Sequence, residues 1–261
     1  MLYMTDYPLN NEITKIWVEW RKTNSKLNKT NNIECMQRAP NYCLKPEPTR
    51  TGKILFVGLN PSYQNNAHND DFFNFDESIS RAKINKIAQL NECSKYVKDK
   101  DGNNNKNYYG KYFNPLNDIS KALNLEFYHH DMFLMRERSS KTVKSLIEDK
   151  HTDLNDFGIA QFKILNAYIE DAQPRVIIIP NAMASRYFLK QNQSVITIDE
   201  ENGIYYTKTK HGKTPTILCG SWQYGRLDEF TRAILLVHLK RAILNAFIVL
   251  EGQKSELNIS S

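Results

Sequence analysis

Gly58-Leu59-Asn60-Pro61-Ser62-Tyr63 joins a polar side chain to residues that fix backbone geometry. Gly58 permits close backbone approach, and Pro61 holds Asn60 away from helical geometry. A rigid amide beside a cavity can hold a water or a base edge, and the same residues also suit a plain structural turn. An amide is no strong base at neutral pH, so hydrolysis at Asn60 would depend on positioning water and on electrostatic help to the leaving state. The segment is neither GxGxxG nor a phosphate loop, which needs Lys followed by Ser or Thr.

Four more segments carry candidate chemistry. His129-His130-Asp131 invites a metal or acid–base use. Strand alternation puts His129 and Asp131 on one face and His130 on the other, and no third ligand is indicated, which favours structural hydrogen bonding. Pro180-Asn181-Ala182 reads as a helix start capped by Asn181. Cys219-Gly220-Ser221-Trp222-Gln223-Tyr224-Gly225-Arg226-Leu227 offers Ser221 and backbone N–H groups to a phosphate, Arg226 as a cation, and Trp222, Tyr224 or Leu227 as an apolar wedge into a base stack. Its bland alternative is a packed loop sealing a sheet edge. Lys95–Lys111 is rich in Asn, Gly and Lys and reads as a projecting loop. It is either a solvated insertion or a surface for phosphates and unstacked bases, carried by Lys98, Lys100, Lys106, Tyr108, Tyr109 and Lys111.

The elements that must hold these segments follow from hydrophobic patterning. Lys53-Ile54-Leu55-Phe56-Val57 and Arg175-Val176-Ile177-Ile178-Ile179 are short continuous apolar runs, as expected of strands buried on both faces of a parallel sheet. Leu125–Phe133 and Thr214–Cys219 repeat the signature more weakly. Helical patterns cover Asn11–Lys26, Ser80–Asn91, Asn117–Leu123, Asp156–Ile169 and Asn181–Leu189, so strands and helices alternate as in βα units. Ile13, Trp17 and Trp20 give the first of these helices a core face. Around Asn202-Gly203, the stretch Ser194–Lys208 reads as a β-hairpin inserted before the last central strand. Asp228 is placed to cap a long final helix containing Phe230, Ile234, Leu235, Leu239 and Ile243. The expected layout is residues 1–52 as an N-terminal helix and extended connection, 53–250 as one α/β domain, and 251–261 as a tail. In an open sheet of this kind, ligands bind beyond the carboxyl ends of the strands, where all four exit segments lie.

Composition narrows the class. The 261 residues are 41% hydrophobic and 25% charged, enough apolar content for a sizeable core and too much for a disordered chain. Lys and Arg total 35 against 29 for Asp and Glu, a net charge of +6 that is compatible with a polyanionic partner without requiring one. No run of 18 apolar residues is present, and Met1–Asn10 lacks the basic-then-apolar order of a secretory signal, so a cytoplasmic protein with no membrane partner is expected. Cys35, Cys43, Cys93 and Cys219 form no CxxC pair and are expected to be scattered reduced thiols.

In motif order the chain resembles the uracil-DNA glycosylase superfamily, especially its mismatch-specific and uncharacterised bacterial branches. The resemblance rests on Gly58-Leu59-Asn60-Pro61-Ser62, the DxF-like Asp131–Phe133, Cys219-Gly220-Ser221 and the long last helix, and it spans Lys53 to Leu250. It implies a three-layer α/β/α domain around a four-stranded parallel sheet. The implied activity is hydrolysis of the N-glycosidic bond of uracil, mismatched thymine or another modified pyrimidine flipped out of DNA, by a monomer that needs neither a metal nor a nucleotide cofactor. Under the resemblance Asn60 orients the attacking water, and Tyr63, Phe72 or Phe73 stacks on the base. Asp131 or Asn181 reads the base edge, Ser62 lines the pocket floor where relatives often have Gly, and Ser221 serves the second motif. Lys106, Lys111, Ser221, Trp222, Tyr224, Arg226 and Leu227 grip DNA. The second motif departs from the His-Pro-Ser or Asn-Pro-Ser of active relatives, which removes a polar residue able to stabilise the departing base. A nucleic-acid or nucleotide binding protein without turnover is the alternative function on the same fold.

Overall fold

Continuous apolar runs become the centre of a sheet. Ile54–Gly58 (β1) and Val176–Ile179 (β3) are buried along their whole lengths and pair in parallel, with Ile54 opposite Val176 and Phe56 opposite Ile178. The computed structural model describes residues 7–25, 34–49, 52–61, 73–98, 103–104, 108–149, 153–201 and 204–220, and nine helical positions between 230 and 244. Its contacts divide the chain into two compact units, each discontinuous in sequence. The first is Met1–Glu47, Gly58–Phe113 and His130–Asp171; the second is Pro48–Val57, Asn114–His129 and Ala172–Ser261.

The second unit carries the sheet, which has six strands in the order β2-β1-β3-β6-β5-β4. The remaining strands are Phe127–Asp131 (β2), Ile196–Asp199 (β4), Ile204–Thr209 (β5) and Gly212–Leu218 (β6). β6 runs parallel to β3 with Ile178 opposite Ile217, while β4 and β5 form an antiparallel hairpin whose second strand pairs antiparallel with β6. The sheet is thus six-stranded and mixed, wider than the four-stranded parallel one expected. The sequence marks the hairpin but not its docking partner. That partner is set by β6, whose Thr216 hydroxyl meets Thr207 on β5 at 2.7 Å in a buried pair and leaves neither hydroxyl unsatisfied. After β3, Ala182–Gln191 (α7) begins at the Asn181 cap, and Ser185 on this helix donates to the carbonyls of Ile179 and Cys219. The exits of β3 and β6 are thereby held together. Of the apolar residues assigned to the final helix, Leu239 is buried, whereas Phe230 and Ile234 are 73% and 58% exposed. Leu235 and Ile243 lie outside the described residues.

The first unit is mainly helical, with Pro8–Ser25 (α1), Glu34–Gln37 (α2), Arg81–Cys93 (α3), Ser140–Ile147 (α5) and Asp156–Ala172 (α6). α1 buries Ile13 and Trp17, and Trp20 stacks on Phe157 of α6 at 4.6 Å, so these tryptophans pack as their spacing implies. Gly158 permits the close approach of α6 to α5, because a Cβ there would lie 2.7 Å from the Ile147 carbonyl. Ser80 and Ser139 cap α3 and α5 through bonds to Lys83 and Thr142. Gly110–Leu123 (α4) starts a full turn or more before its apolar pattern suggests and takes in Pro115. No helix among the described residues is long and apolar enough to cross a membrane.

Candidate functional site

The first unit contains the ends of β1 and β2, and beyond them the two chains stay joined. Met132 and Phe133 N–H groups donate to the carbonyls of Gly58 and Leu59, and Glu137 N–H donates to Pro61. A third segment joins when Asn41 N–H donates to the Leu134 carbonyl. Gln161, fully buried on α6, accepts from Leu134 N–H at 2.7 Å and fixes the middle of the mesh. Backbone groups leaving the sheet are thus satisfied by one another, which gives irregular chain the rigidity a site needs.

Asn60 sits in this mesh, half-buried. Its Nδ2 is surrounded by carbonyls, 2.6 Å from Glu137, 3.2 Å from Pro61 and 3.4 Å from Met135. Only an amide nitrogen satisfies that environment, so the orientation of the side chain is fixed and Oδ1 is turned away from it. Among the described residues Oδ1 accepts no hydrogen bond.

Asp131, at the end of β2, is 4% exposed and accepts a 3.0 Å bond from Asn41 Nδ2. Burial pushes its carboxyl up to about 7, against the downward pull of Arg136, Lys95 and the Asn41 bond. Arg136 is also buried, donating Nε to the Ala39 carbonyl at 3.1 Å and Nη2 to Asn91 Oδ1 at 2.7 Å. Burial lowers its guanidinium to about 10, and Asp131 opposes that shift. His130 and Asp131 are both buried at the end of β2, as expected of a strand covered on both faces. The His130 Nδ1 lies 2.8 Å from the Asp131 carbonyl, which can only accept, so Nδ1 carries the proton. Nε2 is buried without a hydrogen-bond partner among the described residues, and burial holds the imidazole down at about 4, hence neutral. It suits packing against Tyr168, 4.4 Å away, better than proton transfer at neutral pH.

The two buried groups impose opposite pH dependences. A carboxyl raised from about 3.9 binds a proton more tightly in the folded protein, so its stabilising contribution is full in acid and lost as pH rises through about 7. His130, lowered from 6.5 to about 4, contributes above 6.5, and that contribution is lost as pH falls through about 4. Asp131→Asn is therefore expected to remove a decline in unfolding free energy between pH 5 and pH 8, measured by urea denaturation at the two values. An equal decline in the variant would refute the assignment to this carboxyl.

The other sequence candidates fall in different places. Phe73 is buried, with the Arg136 guanidinium 4.7 Å from its ring centroid, so that ring face is already covered. Asn181 belongs to the second unit, where its Oδ1 accepts from Met183 and Ala184 N–H at 3.0 Å each. Asn181→Ala is expected to cost about 1 kcal/mol of stability, read by thermal denaturation. Lys111 is exposed in the first turn of α4. Ser62, Tyr63, Phe72, Lys106, Ser221, Trp222, Tyr224, Arg226 and Leu227 lie outside the described residues. None of the four cysteines is in a disulfide, and no cluster of potential metal ligands occurs among the described residues.

Asn41, Asn91, Lys95 and Arg136 are site residues that sequence patterning does not single out. One signal was present for Arg136: it follows Met132-Phe133-Leu134-Met135, all at most 1% exposed, and a cation closing so apolar a run must be buried and paired or solvated through its head group. No protein-family model matches the chain, and no curated protein matches it.

Proposed function

We propose that the chain is a DNA glycosylase of the uracil-DNA glycosylase type, hydrolysing the N-glycosidic bond of uracil, mismatched thymine or another modified pyrimidine. The observation that carries this function is Asn60, a side chain whose nitrogen is clamped by carbonyls and whose oxygen is left to orient a water. In the proposed reaction Oδ1 accepts a hydrogen bond from that water and directs its lone pair at C1′. The C1′–N bond breaks with its electron pair departing on the base, and the water proton is released as the sugar hydroxyl forms. Asp131 reads the base edge. Near neutrality its buried carboxyl exists in part protonated, offering a donor and an acceptor as an amide would, so it is compatible with a uracil edge as well as with bases that present donors. In this assignment β2, β1, β3 and β6 are the four parallel strands of a three-layer α/β/α domain and the β4–β5 hairpin is an edge addition. The protein acts on DNA as a cytoplasmic monomer.

A second function is favoured by the same amide. Three contacts to carbonyls account for Asn60 as a loop clamp, as a binding protein without turnover would need. The deciding experiment is base release under excess protein from single- and double-stranded oligonucleotides carrying uracil, a G·T mismatch, hypoxanthine or a modified pyrimidine. Release of a base above the no-protein control supports the glycosylase. Tight binding to a uracil or abasic oligonucleotide by folded protein, without release from any member of the panel, supports the binding protein instead.

A further inference from the structure

The described residues of the 94–109 segment are tied to one another across it, as the two arms of a ribbon. Tyr109 N–H donates to the Ser94 carbonyl at 3.2 Å, and between these ends Lys98 pairs antiparallel with Asn104. The base of the ribbon is fixed on both arms. Lys95 is 4% exposed with its Nζ 2.6 Å from Glu92, and Tyr109 stacks on Tyr112 at 6.4 Å and 16°. Both arms leave from the surroundings of Asp131: the Lys95 charge acts on Asp131 and His130, and the Asp131 charge acts on Tyr112.

Beyond that base the outgoing arm reverses its character. Tyr96 and Val97 are 48% and 51% exposed, the only consecutive large hydrophobic residues so exposed among the described residues, and the exposed Lys98 follows. The Tyr96 hydroxyl lies 3.4 Å from Glu92, which limits the directions its ring can face. Lys95–Lys111 contains Lys95, Lys98, Lys100, Lys106 and Lys111 against Asp99 and Asp101, a net positive balance that complements a polyanion. An aromatic face, an adjacent apolar side chain and a cation on a rigid mount are what a strand of unstacked bases and phosphates requires, because every base has a π-face and every linkage a negative charge.

We propose that Tyr96, Val97 and Lys98 form a DNA-contacting edge that stacks on an unpaired base and pairs with its phosphate beside the candidate site. The inference rests on the DNA substrate proposed above but not on turnover. Its test is fluorescence anisotropy of an undamaged labelled single-stranded DNA oligonucleotide, which holds no base to be released. Tyr96→Ser/Val97→Ser is expected to weaken binding about tenfold, and Lys98→Glu to reduce the slope of log affinity against log salt by about 1. Lys163→Glu, which changes an exposed cation on α6, leaves binding at the wild-type value. Wild-type binding by the double variant, or equal weakening by Lys163→Glu, overturns the proposal, as does a preference for an acidic peptide over the oligonucleotide. The two proposals separate cleanly. Loss of binding in the ribbon variants with no base release by wild type keeps the DNA edge and removes the glycosylase. Intact binding in the ribbon variants with Asn60-dependent release does the reverse.

Discussion

Asn60→Ala is expected to lower single-turnover base release by about 10²- to 10³-fold, the loss typical of removing one group that orients or stabilises the reacting centre. Binding of an oligonucleotide carrying an abasic site should change far less, because Oδ1 is assigned to the water and not to the strand. The split between release and binding matters, since the same substitution also removes the amide nitrogen from the Glu137, Pro61 and Met135 carbonyls. Loop loosening alone would weaken product binding and release together. Asn60→Asp supplies a second check. A carboxylate oxygen would then face the Glu137 carbonyl at the position where the amide nitrogen now sits at 2.6 Å, and two acceptors repel unless a proton is taken up. That variant should recover release as pH is lowered, in contrast to Asn60→Ala, which has no group to titrate. Unaltered release in Asn60→Ala would eliminate the water-positioning role.

The legibility of this chain depends on how far a residue's partner lies along the sequence. β1 and β3 could be read because a strand buried on both faces must be apolar throughout, and Asn181 could be read because its partners are Met183 and Ala184, two and three residues on. The β4–β5 hairpin is legible in the Asn202-Gly203 pair as a turn-forming sequence, whereas its pairing with β6, which makes the sheet mixed, is a matter of tertiary docking. Asn60 was legible as a rigid amide but not as an oriented one, since its carbonyl partners at 135 and 137 are contributed by the next strand's exit. Asn41 left no trace, being 90 residues from the carboxylate it contacts. The ribbon is the opposite case. Asn, Gly and Lys content describes a segment with no core of its own, yet it is closed at Ser94 and Tyr109 and rooted by a buried lysine, which composition cannot show.

Arg136→Met should cause the largest loss of stability, about 3–5 kcal/mol, as expected when one member of a buried charged group is removed and its counter-charge stays behind. Methionine can occupy much of the aliphatic volume, so the loss does not come mainly from a cavity. It comes from three interactions that disappear together: the bonds to the Ala39 carbonyl and to Asn91, and the guanidinium over Phe73. A fourth consequence is electrostatic. Asp131 loses the group that most opposes its desolvation, so its carboxyl rises further above 7 and the folded state binds a proton over a wider range. By linkage the penalty should then be larger at pH 8 than at pH 6, where Asp131 takes up its proton and no unpaired charge remains buried. Urea unfolding of wild type, Arg136→Met, Asp131→Asn and the double variant at both pH values tests this as a thermodynamic cycle. The double variant should regain part of the loss at pH 8 and little at pH 6, because only at the higher pH must the single variant either bury an unpaired carboxylate or hold a proton that the unfolded chain does not. Equal penalties at the two pH values, or full additivity of the two substitutions at pH 8, would mean that Arg136 acts only through its hydrogen bonds to Ala39 and Asn91 and its contact with Phe73, and that Asp131 is held by Lys95 and Asn41.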